Sequence, residues 1–104
     1  MNLLFVCSRN RLRSPTAQQV FAHEHGTDSA GTASDAEQVV EPEQLLWADI
    51  VFVMERKHQQ RLQAQFSRFL KGKKVVCLQI SDNYSYMQPE LVEILKKKVS
   101  VHLR

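Results

Sequence analysis

The chain has few of the residues that mark special classes of protein. Its 104 residues include two cysteines, three glycines and three prolines. Cys7 and Cys77 are too few for a disulfide framework, so we expect free thiols and a cytoplasmic location. No run approaches the ~20 apolar residues of a membrane span, and the N-terminus lacks the basic and apolar segments of a signal peptide. We therefore expect no membrane association.

The charge of the chain is also close to balanced, with a formal net value of +3. Lysines concentrate at residues 71–74 and 96–98, which we interpret as solvated faces. Basic residues do not interleave with aromatic residues as they do on stacking surfaces for nucleic acids, so we expect no nucleic-acid partner. The four histidines lack a metal-ligand spacing with a cysteine, so we predict no metal.

Segments with strand-like and helix-like apolar patterns alternate along the chain. The run 50–54 is continuously apolar, as in strands buried on both faces, whereas 56–70 has one apolar stripe at helical spacing. The predicted strands are 2–6, 27–31, 50–54 and 74–80. The predicted helices are 15–25, 41–47, 56–70 and 88–99, with a short helix after Ser34-Asp35. Such alternation implies a parallel sheet with right-handed crossovers, so we predict one three-layer α/β domain spanning residues 1–104.

The stretch that follows the first predicted strand is the most informative. An apolar run ends at Val6, a polar loop extends from Cys7 to Arg13, and Ser14-Pro15 is a helix start signal with serine as N-cap. Open α/β sheets bind ligands outside the carboxyl ends of their strands, and a helix N-terminus favours anions. The order strand, loop, helix therefore predicts an anion-binding site.

Residue types within this loop suit catalysis. A thiol beside a helix N-terminus and arginines ionises readily, which would make Cys7 a nucleophile. The five residues before Arg13 can curl so that their N–H groups converge on an oxyanion, and the guanidinium matches two of its oxygens. Ser14 could donate to the Cys7 thiolate, and Asn10 could hold the loop. A buried structural cysteine is the alternative interpretation.

The sequence VCSRNRLRSP, residues 6–15, resembles the loop V-C-x-G-N-x-C-R-S-P of the low-molecular-weight protein tyrosine phosphatases. Arg9 stands in place of the glycine and Leu12 in place of the second cysteine. The resemblance implies a four-stranded sheet of order 2-1-3-4, Cys7 as nucleophile and Arg13 as a phosphoryl ligand. It also implies that the remaining loop residues organise the site: Ser8, Arg9, Asn10, Arg11, Leu12 and Ser14.

Two later segments also resemble this family. The segment 28–32, DSAGT, resembles the second strand, in which Ser29 would anchor the phosphate loop through Asn10. Asp82-Asn83-Tyr84 resembles the segment that carries the general acid, which implies that role for Asp82 and a place in the substrate pocket for Tyr84. From the residues alone, this segment is equally well a turn. The chain is shorter than typical members, chiefly in regions that help form the wall of the pocket.

We therefore predict a cysteine-dependent protein tyrosine phosphatase without a cofactor. Its substrates would be phosphotyrosine in proteins or small aryl phosphates, hydrolysed through a phosphocysteine intermediate, and it would also bind inorganic phosphate and other oxyanions. One alternative is an inactive phosphate-binding domain. Another is a thiol redox enzyme similar to the arsenate reductases that share this fold, for which Cys77 is the only further cysteine.

Overall fold

The computed structural model describes residues 1–103 and contains eight regular elements in strict alternation. They are β1 (Asn2–Cys7), α1 (Arg13–Phe21), β2 (Gly26–Gly31), α2 (Pro42–Trp47), β3 (Ile50–Val53), α3 (Arg56–Leu70), β4 (Lys74–Cys77) and α4 (Pro89–Ser100). The predicted class is confirmed. The short helix predicted after Ser34-Asp35 is wrong, because this segment forms turns and bends.

The four strands form one parallel sheet of order β2-β1-β3-β4, as predicted. The central strands β1 and β3 are apolar and almost entirely buried, because helices cover both faces of the sheet. Since all strands run the same way, their carboxyl ends meet at one edge. Cys7, Gly31, Val53 and Cys77 are the last residues of the four strands at that edge.

Alternation along each strand divides the core between the two faces of the sheet. Leu3, Phe5 and Cys7 belong to the cluster packed under α1 and α4, in which the rings of Phe5 and Phe52 stack with centroids 5.3 Å apart. Leu4 and Val6 point to the other cluster, under α2 and α3. Full burial of each large apolar side chain contributes about 1.5–3 kcal/mol, so β1 is held firmly from both sides.

Several boundaries differ from those predicted. Helix α1 ends at Phe21 rather than at 25, and Gly26 begins β2 instead of ending the helix. Strand β4 ends at Cys77 rather than at 80, because Gln79 has a positive φ of 55° that interrupts the extended backbone. The chain still follows β3 beyond this point, because Ile80 N–H donates to Met54 O at 2.8 Å. None of the helices within residues 1–103 has the length and apolar character needed to cross a bilayer.

Candidate active site

The loop after β1 is oriented by the segment that follows β2. The carbonyl oxygens of Cys7, Ser8 and Arg9 accept hydrogen bonds from the N–H groups of Thr32, Ala33 and Glu37, at 3.0, 2.9 and 3.0 Å. In a trans peptide the N–H points opposite to the carbonyl group, and no peptide bond among the described residues is cis. The amides of residues 8–10 therefore point to the inside of the loop, which is the arrangement that binds an oxyanion.

The sulfur atom of Cys7 lies among donors at the centre of this loop. Asn10 N–H donates to Cys7 Sγ at 3.2 Å, and Ser14 Oγ is 2.9 Å from the same sulfur. Ser14 Oγ also donates to Asn10 Oδ1 at 2.8 Å. A hydroxyl group has one hydrogen, so with this bond in place the Cys7 thiol donates to Ser14 Oγ. When the thiol ionises, the Ser14 hydroxyl can turn to donate to the thiolate instead.

The loop residue with a left-handed backbone conformation is Asn10, which has a φ of 57°. It is not Arg9, the residue that stands in place of the family's glycine. Asparagine tolerates this conformation better than most residues. Arg9 is not among the described non-glycine residues with positive φ, so its Cβ causes no strain of that kind. Its side chain extends outward to Asp35 at 3.3 Å, and all four side chains in this pair and in the Arg11–Glu37 pair are more than half exposed.

Arg13 is buried, and its guanidinium contacts residues that follow the carboxyl ends of β3 and β4. Its Nη1 lies 2.5 Å from Glu55 Oε1 and donates to Ile80 O at 2.8 Å, while its Nε is 3.6 Å from Asp82 Oδ1. Burial of the Glu55 carboxyl opposes its ionisation, but the hydrogen bond and the positive charge of Arg13 outweigh this effect and lower the pKa of Glu55. The guanidinium is therefore fixed beside Cys7 by an ionised partner.

The sequence did not reveal Glu55 and His58 as parts of this site. Glu55 N–H donates to His58 Nδ1 at 3.0 Å, so Nδ1 carries no proton and the neutral ring has its hydrogen on Nε2. That Nε2 lies 2.9 Å from Ser8 Oγ and donates to it. Burial and the nearby charge of Arg13 lower the pKa of His58 to about 4, so the ring is neutral at physiological pH. The first turn of α3 thus holds the loop at Ser8 and at Arg13.

A cavity of about 520 Å³ opens above the sulfur atom; we call it the Cys7 cavity. Asp82 lies on its rim with a side chain that is 67% exposed, close enough to Arg13 to reach a bound group. The residues that line it come from the loop after β1 and from segments beside it: Cys7, Ser8, Arg9, Arg11, Leu12, Arg13, Ala33, Lys57 and Asp82. Tyr84 does not line this cavity but packs, half-buried, against the core cluster under α1 and α4.

Two features differ from the sequence-based predictions, one from the family resemblance and one from the helix start signal at Ser14-Pro15. Ser29 Oγ donates to Gln18 Oε1 at 2.5 Å, so the hydroxyl of Ser29 is directed to α1 instead of Asn10. Helix α1 begins at Arg13 with Leu12 as N-cap, not with Ser14, because the Ser14 hydroxyl is directed to Cys7 and Asn10. Leu12 is 38% exposed and contributes an apolar wall to the Cys7 cavity.

The second cysteine is separated from the first by an intervening strand. Cys77 pairs with Val53 in the sheet register, and Val53 pairs with Val6, so β4 and β1 lie two strand spacings apart, roughly 10 Å. Cys77 packs against the cluster under α2 and α3, whereas Cys7 belongs to the cluster on the opposite face. Disulfides require Cα atoms within about 7 Å, so this geometry opposes a Cys7–Cys77 bond.

The chain is similar in structure to several solved proteins. No family model and no curated protein matches the sequence. A low-molecular-weight protein tyrosine phosphatase from T. tengcongensis superposes with a TM-score of 0.74 and 21% identity, covering 97% of this chain and 99% of its own. The chain has the low-molecular-weight protein tyrosine phosphatase fold. The fold prediction is thereby confirmed.

Two further structures with the low-molecular-weight phosphatase fold differ in the activity that they are named for. The tyrosine phosphatase Wzb from Escherichia coli K30, solved in complex with phosphate, gives a TM-score of 0.75 at 16% identity and covers 97% of this chain and 94% of its own. The Drosophila arginine phosphatase DARP gives 0.77 at 16% identity, with coverage of 100% and 98%. The fold is therefore shared by proteins named for two different phosphorylated side chains.

Proposed function

We propose that the chain is a cysteine-dependent phosphatase that hydrolyses phosphotyrosine in proteins and small aryl phosphates. The observation that carries this proposal is the surrounding of Cys7 Sγ. The sulfur accepts a hydrogen bond from the backbone N–H of Asn10 and contacts the Ser14 hydroxyl. Arg13 and Asp82 line the same cavity as Cys7. This set supplies a nucleophile, an anion site and an acid within one cavity, as phosphoryl transfer requires.

The first chemical step forms a bond between Cys7 Sγ and phosphorus while the bond from phosphorus to the ester oxygen breaks. The electron pair of that bond goes to the leaving oxygen, and a protonated Asp82 gives it a proton. Loop amides and Arg13 balance the charge on the other phosphoryl oxygens. The products of this step are the free phenol and a phosphocysteine.

In the second step water attacks the phosphocysteine, and the sulfur–phosphorus bond breaks. Asp82, now ionised, accepts a proton from the water, and the electron pair of the broken bond returns to Cys7 as a thiolate. Ser14 stabilises this thiolate by turning its hydroxyl from Asn10 to the sulfur. Inorganic phosphate leaves, and the site returns to its starting state without an external oxidant or reductant.

The walls of the Cys7 cavity support phosphotyrosine over phosphoarginine as the substrate. Leu12 offers an apolar surface for an aromatic ring. Lys57 lines the same cavity, and its positive charge opposes entry of the guanidinium group of phosphoarginine. Because related folds are named for both activities, peptides carrying each modification belong in the same assay.

The decisive experiment measures hydrolysis of p-nitrophenyl phosphate, a phosphotyrosine peptide and a phosphoarginine peptide under reducing conditions. In the Cys7→Ser variant we expect turnover to fall at least about a thousandfold, because the nucleophile is lost. In Asp82→Asn we expect a loss of about 100-fold with aryl substrates. Cys77→Ser and Asp49→Asn, which change the same residue types away from the cavity, serve as controls.

Each outcome has a clear meaning. Turnover that survives in Cys7→Ser contradicts the thiolate mechanism. Binding of phosphate without hydrolysis in the wild-type protein supports a binding domain. A higher kcat/KM for the phosphoarginine peptide would overturn the substrate assignment while leaving the cysteine mechanism intact.

A further inference from the structure

A second cavity, of about 360 Å³, adjoins the Cys7 cavity; we call it the side cavity. The two cavities share Ser8, Ala33 and Lys57 as lining residues, so they lie directly beside each other. The side cavity extends from the loop along α3, past Arg61 to Ala64. Its position means that a substrate bound with its phosphoryl group at Cys7 presents its neighbouring residues to this space.

The charged side chains that line the side cavity are all positive. Lys57 and Arg61 are four residues apart on α3, so their side chains leave the same face of the helix and incline to its N-terminus, where the loop lies. Among residues 1–103, the lining contains no carboxylate. His58 also lines the cavity, and it is neutral because its pKa is lowered to about 4. The side cavity is therefore a basic site.

Lys57 and Arg61 each make only a weak contact with another residue. Arg61 Nη2 donates to Thr32 O at the long distance of 3.5 Å. Lys57 Nζ is 3.9 Å from Glu55 Oε1, whose closer partner is Arg13 at 2.5 Å, and the Lys57 side chain is 62% exposed. Both cations can therefore turn to an incoming anion at little cost, since the hydrogen bond of Arg61 is long and the exposed ion pair of Lys57 is weak.

We propose that the side cavity binds the carboxylate of an acidic residue that flanks the phosphorylated residue in a peptide substrate. This inference rests on the proposed function, because it requires a phosphoryl group at Cys7. Adjacent residues of a peptide have Cα atoms 3.8 Å apart, so neighbouring side chains can enter two cavities that share a wall at Ser8 and Ala33. Lys57 and Arg61 then determine specificity by charge complementarity.

The expected effect is moderate and depends on salt. Two partly exposed cations should give an acidic peptide about a three- to ten-fold higher kcat/KM than its neutral counterpart. At about 1 M ionic strength the Debye length falls to about 3 Å, so most of this preference should disappear.

The experiment compares three phosphotyrosine peptides that differ only in glutamate, glutamine or lysine at the flanking positions. Each is tested with the wild-type chain and with Arg61→Gln, Lys57→Gln and Arg61→Glu, and the ratio of kcat/KM values between peptides is the readout. Lys97→Gln, on the exposed face of α4, removes the same charge away from both cavities and controls for net charge. Circular dichroism confirms that each variant is folded, and binding of the same peptides to Cys7→Ser gives the ratio without turnover.

We expect the acidic preference in the wild type and in Lys97→Gln, its loss in Arg61→Gln and Lys57→Gln, and a preference for the lysine peptide in Arg61→Glu. Equal ratios for all peptides in the wild type at low salt would overturn the proposal. A preference that persists unchanged in both Arg61→Gln and Lys57→Gln would overturn it too. Absence of p-nitrophenyl phosphate hydrolysis contradicts the proposed function instead, and the binding ratios in Cys7→Ser then still test the basic site.

Discussion

Arg13 and Glu55 form an ion pair, with Nη1 2.5 Å from Oε1, in which the arginine side chain is only 3% exposed. A buried guanidinium is costly without a partner, so Glu55 is the group that makes this position of Arg13 stable. Asp82 is a lesser partner, at 3.6 Å and with a largely exposed side chain. Asp82 can therefore move to a substrate without releasing Arg13.

Replacement of Glu55 by glutamine should impair catalysis through Arg13. The variant keeps the shape of the side chain but removes the charge, so the guanidinium is held less firmly, and we expect kcat/KM to fall about tenfold or more. Glu41 is the matched control, because it also precedes a helix and forms a capping box, that of α2. Equal effects of Glu41→Gln and Glu55→Gln on kcat/KM would show that the role of Glu55 is only that of a helix cap.

Replacement of Ser14 by alanine should remove the hydroxyl that stabilises the Cys7 thiolate. Hydrogen bonds to charged groups contribute about 1.5–3 kcal/mol, so we expect turnover to fall about 10- to 100-fold. The rate at which iodoacetamide alkylates Cys7 at neutral pH should fall as well, since the thiolate is the reactive form and the variant removes a hydrogen-bond donor to it. Ser67→Ala, which removes an exposed hydroxyl from α3, is the control; unchanged alkylation in Ser14→Ala would contradict the assignment.

Replacement of Gly31 by alanine should disturb the loop directly. A Cβ atom at this position would collide with Ser8 O and lie 2.6 Å from the Cβ of Ala36, so the loop and its neighbouring segment cannot both keep their places. We expect a loss of stability of about 1–3 kcal/mol and weaker inhibition by inorganic phosphate.

The Gly72→Ala variant separates the loss of stability from the loss of phosphate binding. Gly72 has a φ of 73° and open space around it, so alanine there costs about 1–2 kcal/mol through backbone strain alone. We expect Gly72→Ala to lower the melting temperature without changing inhibition by phosphate. A Gly31→Ala variant that is destabilised but inhibited normally would show that the loop adapts to the added methyl group.

The buried, neutral His58 should make stability depend on pH. Its pKa is lowered to about 4 in the folded state, so the unfolded chain binds a proton more readily below about pH 6.5. The stabilisation is complete above about pH 6.5 and declines as the pH falls to 4, by at most about 1.4 kcal/mol per pH unit. Glu55, whose pKa is also lowered, loses its contribution in the same direction at still lower pH.

Urea unfolding between pH 7 and 4 checks this dependence. In His58→Gln the decline between pH 6.5 and 4 should be shallower, although the variant is less stable at neutral pH because its hydrogen bonds to Ser8 and Glu55 change. His23→Gln, at an exposed position, is the control. If the decline has the same slope in His58→Gln as in the wild type, another group is responsible for it.

The loop from Cys7 to Ser14 was predictable because its sequence signals lie in consecutive residues. A strand, a polar loop and a helix start follow one another in sequence. The alternation of strands and helices predicted a parallel sheet, whereas its order 2-1-3-4 came from the family resemblance. The contacts of Ser14 with Cys7 and Asn10 also agree with what their side-chain chemistry predicted. Their geometry was not predictable in the same detail, since the N-cap is Leu12 and not Ser14.

Glu55 and His58 were missed because their contacts lie far away in sequence. A signal for them was present: Glu55 lies two residues after the end of β3, and the carboxyl ends of the parallel strands lie at the same sheet edge as Cys7. The spacing from Glu55 to His58 also matches a capping box at the start of α3. Tyr84 packs against the core cluster under α1 and α4, because a half-buried aromatic residue near a site can be stabilised equally well by the core.

The hydrogen bonds of Arg13 span 42 residues to Glu55 and 67 residues to Ile80. Contacts between such distant parts of a chain require long loops to be closed, which costs entropy and slows folding. During refolding from urea, recovery of p-nitrophenyl phosphate hydrolysis should therefore coincide with the slowest major phase, and not with the earlier appearance of helical circular dichroism. Under the proposed function, in which Arg13 binds the phosphoryl group, activity therefore reports whether these distant parts of the chain have folded together.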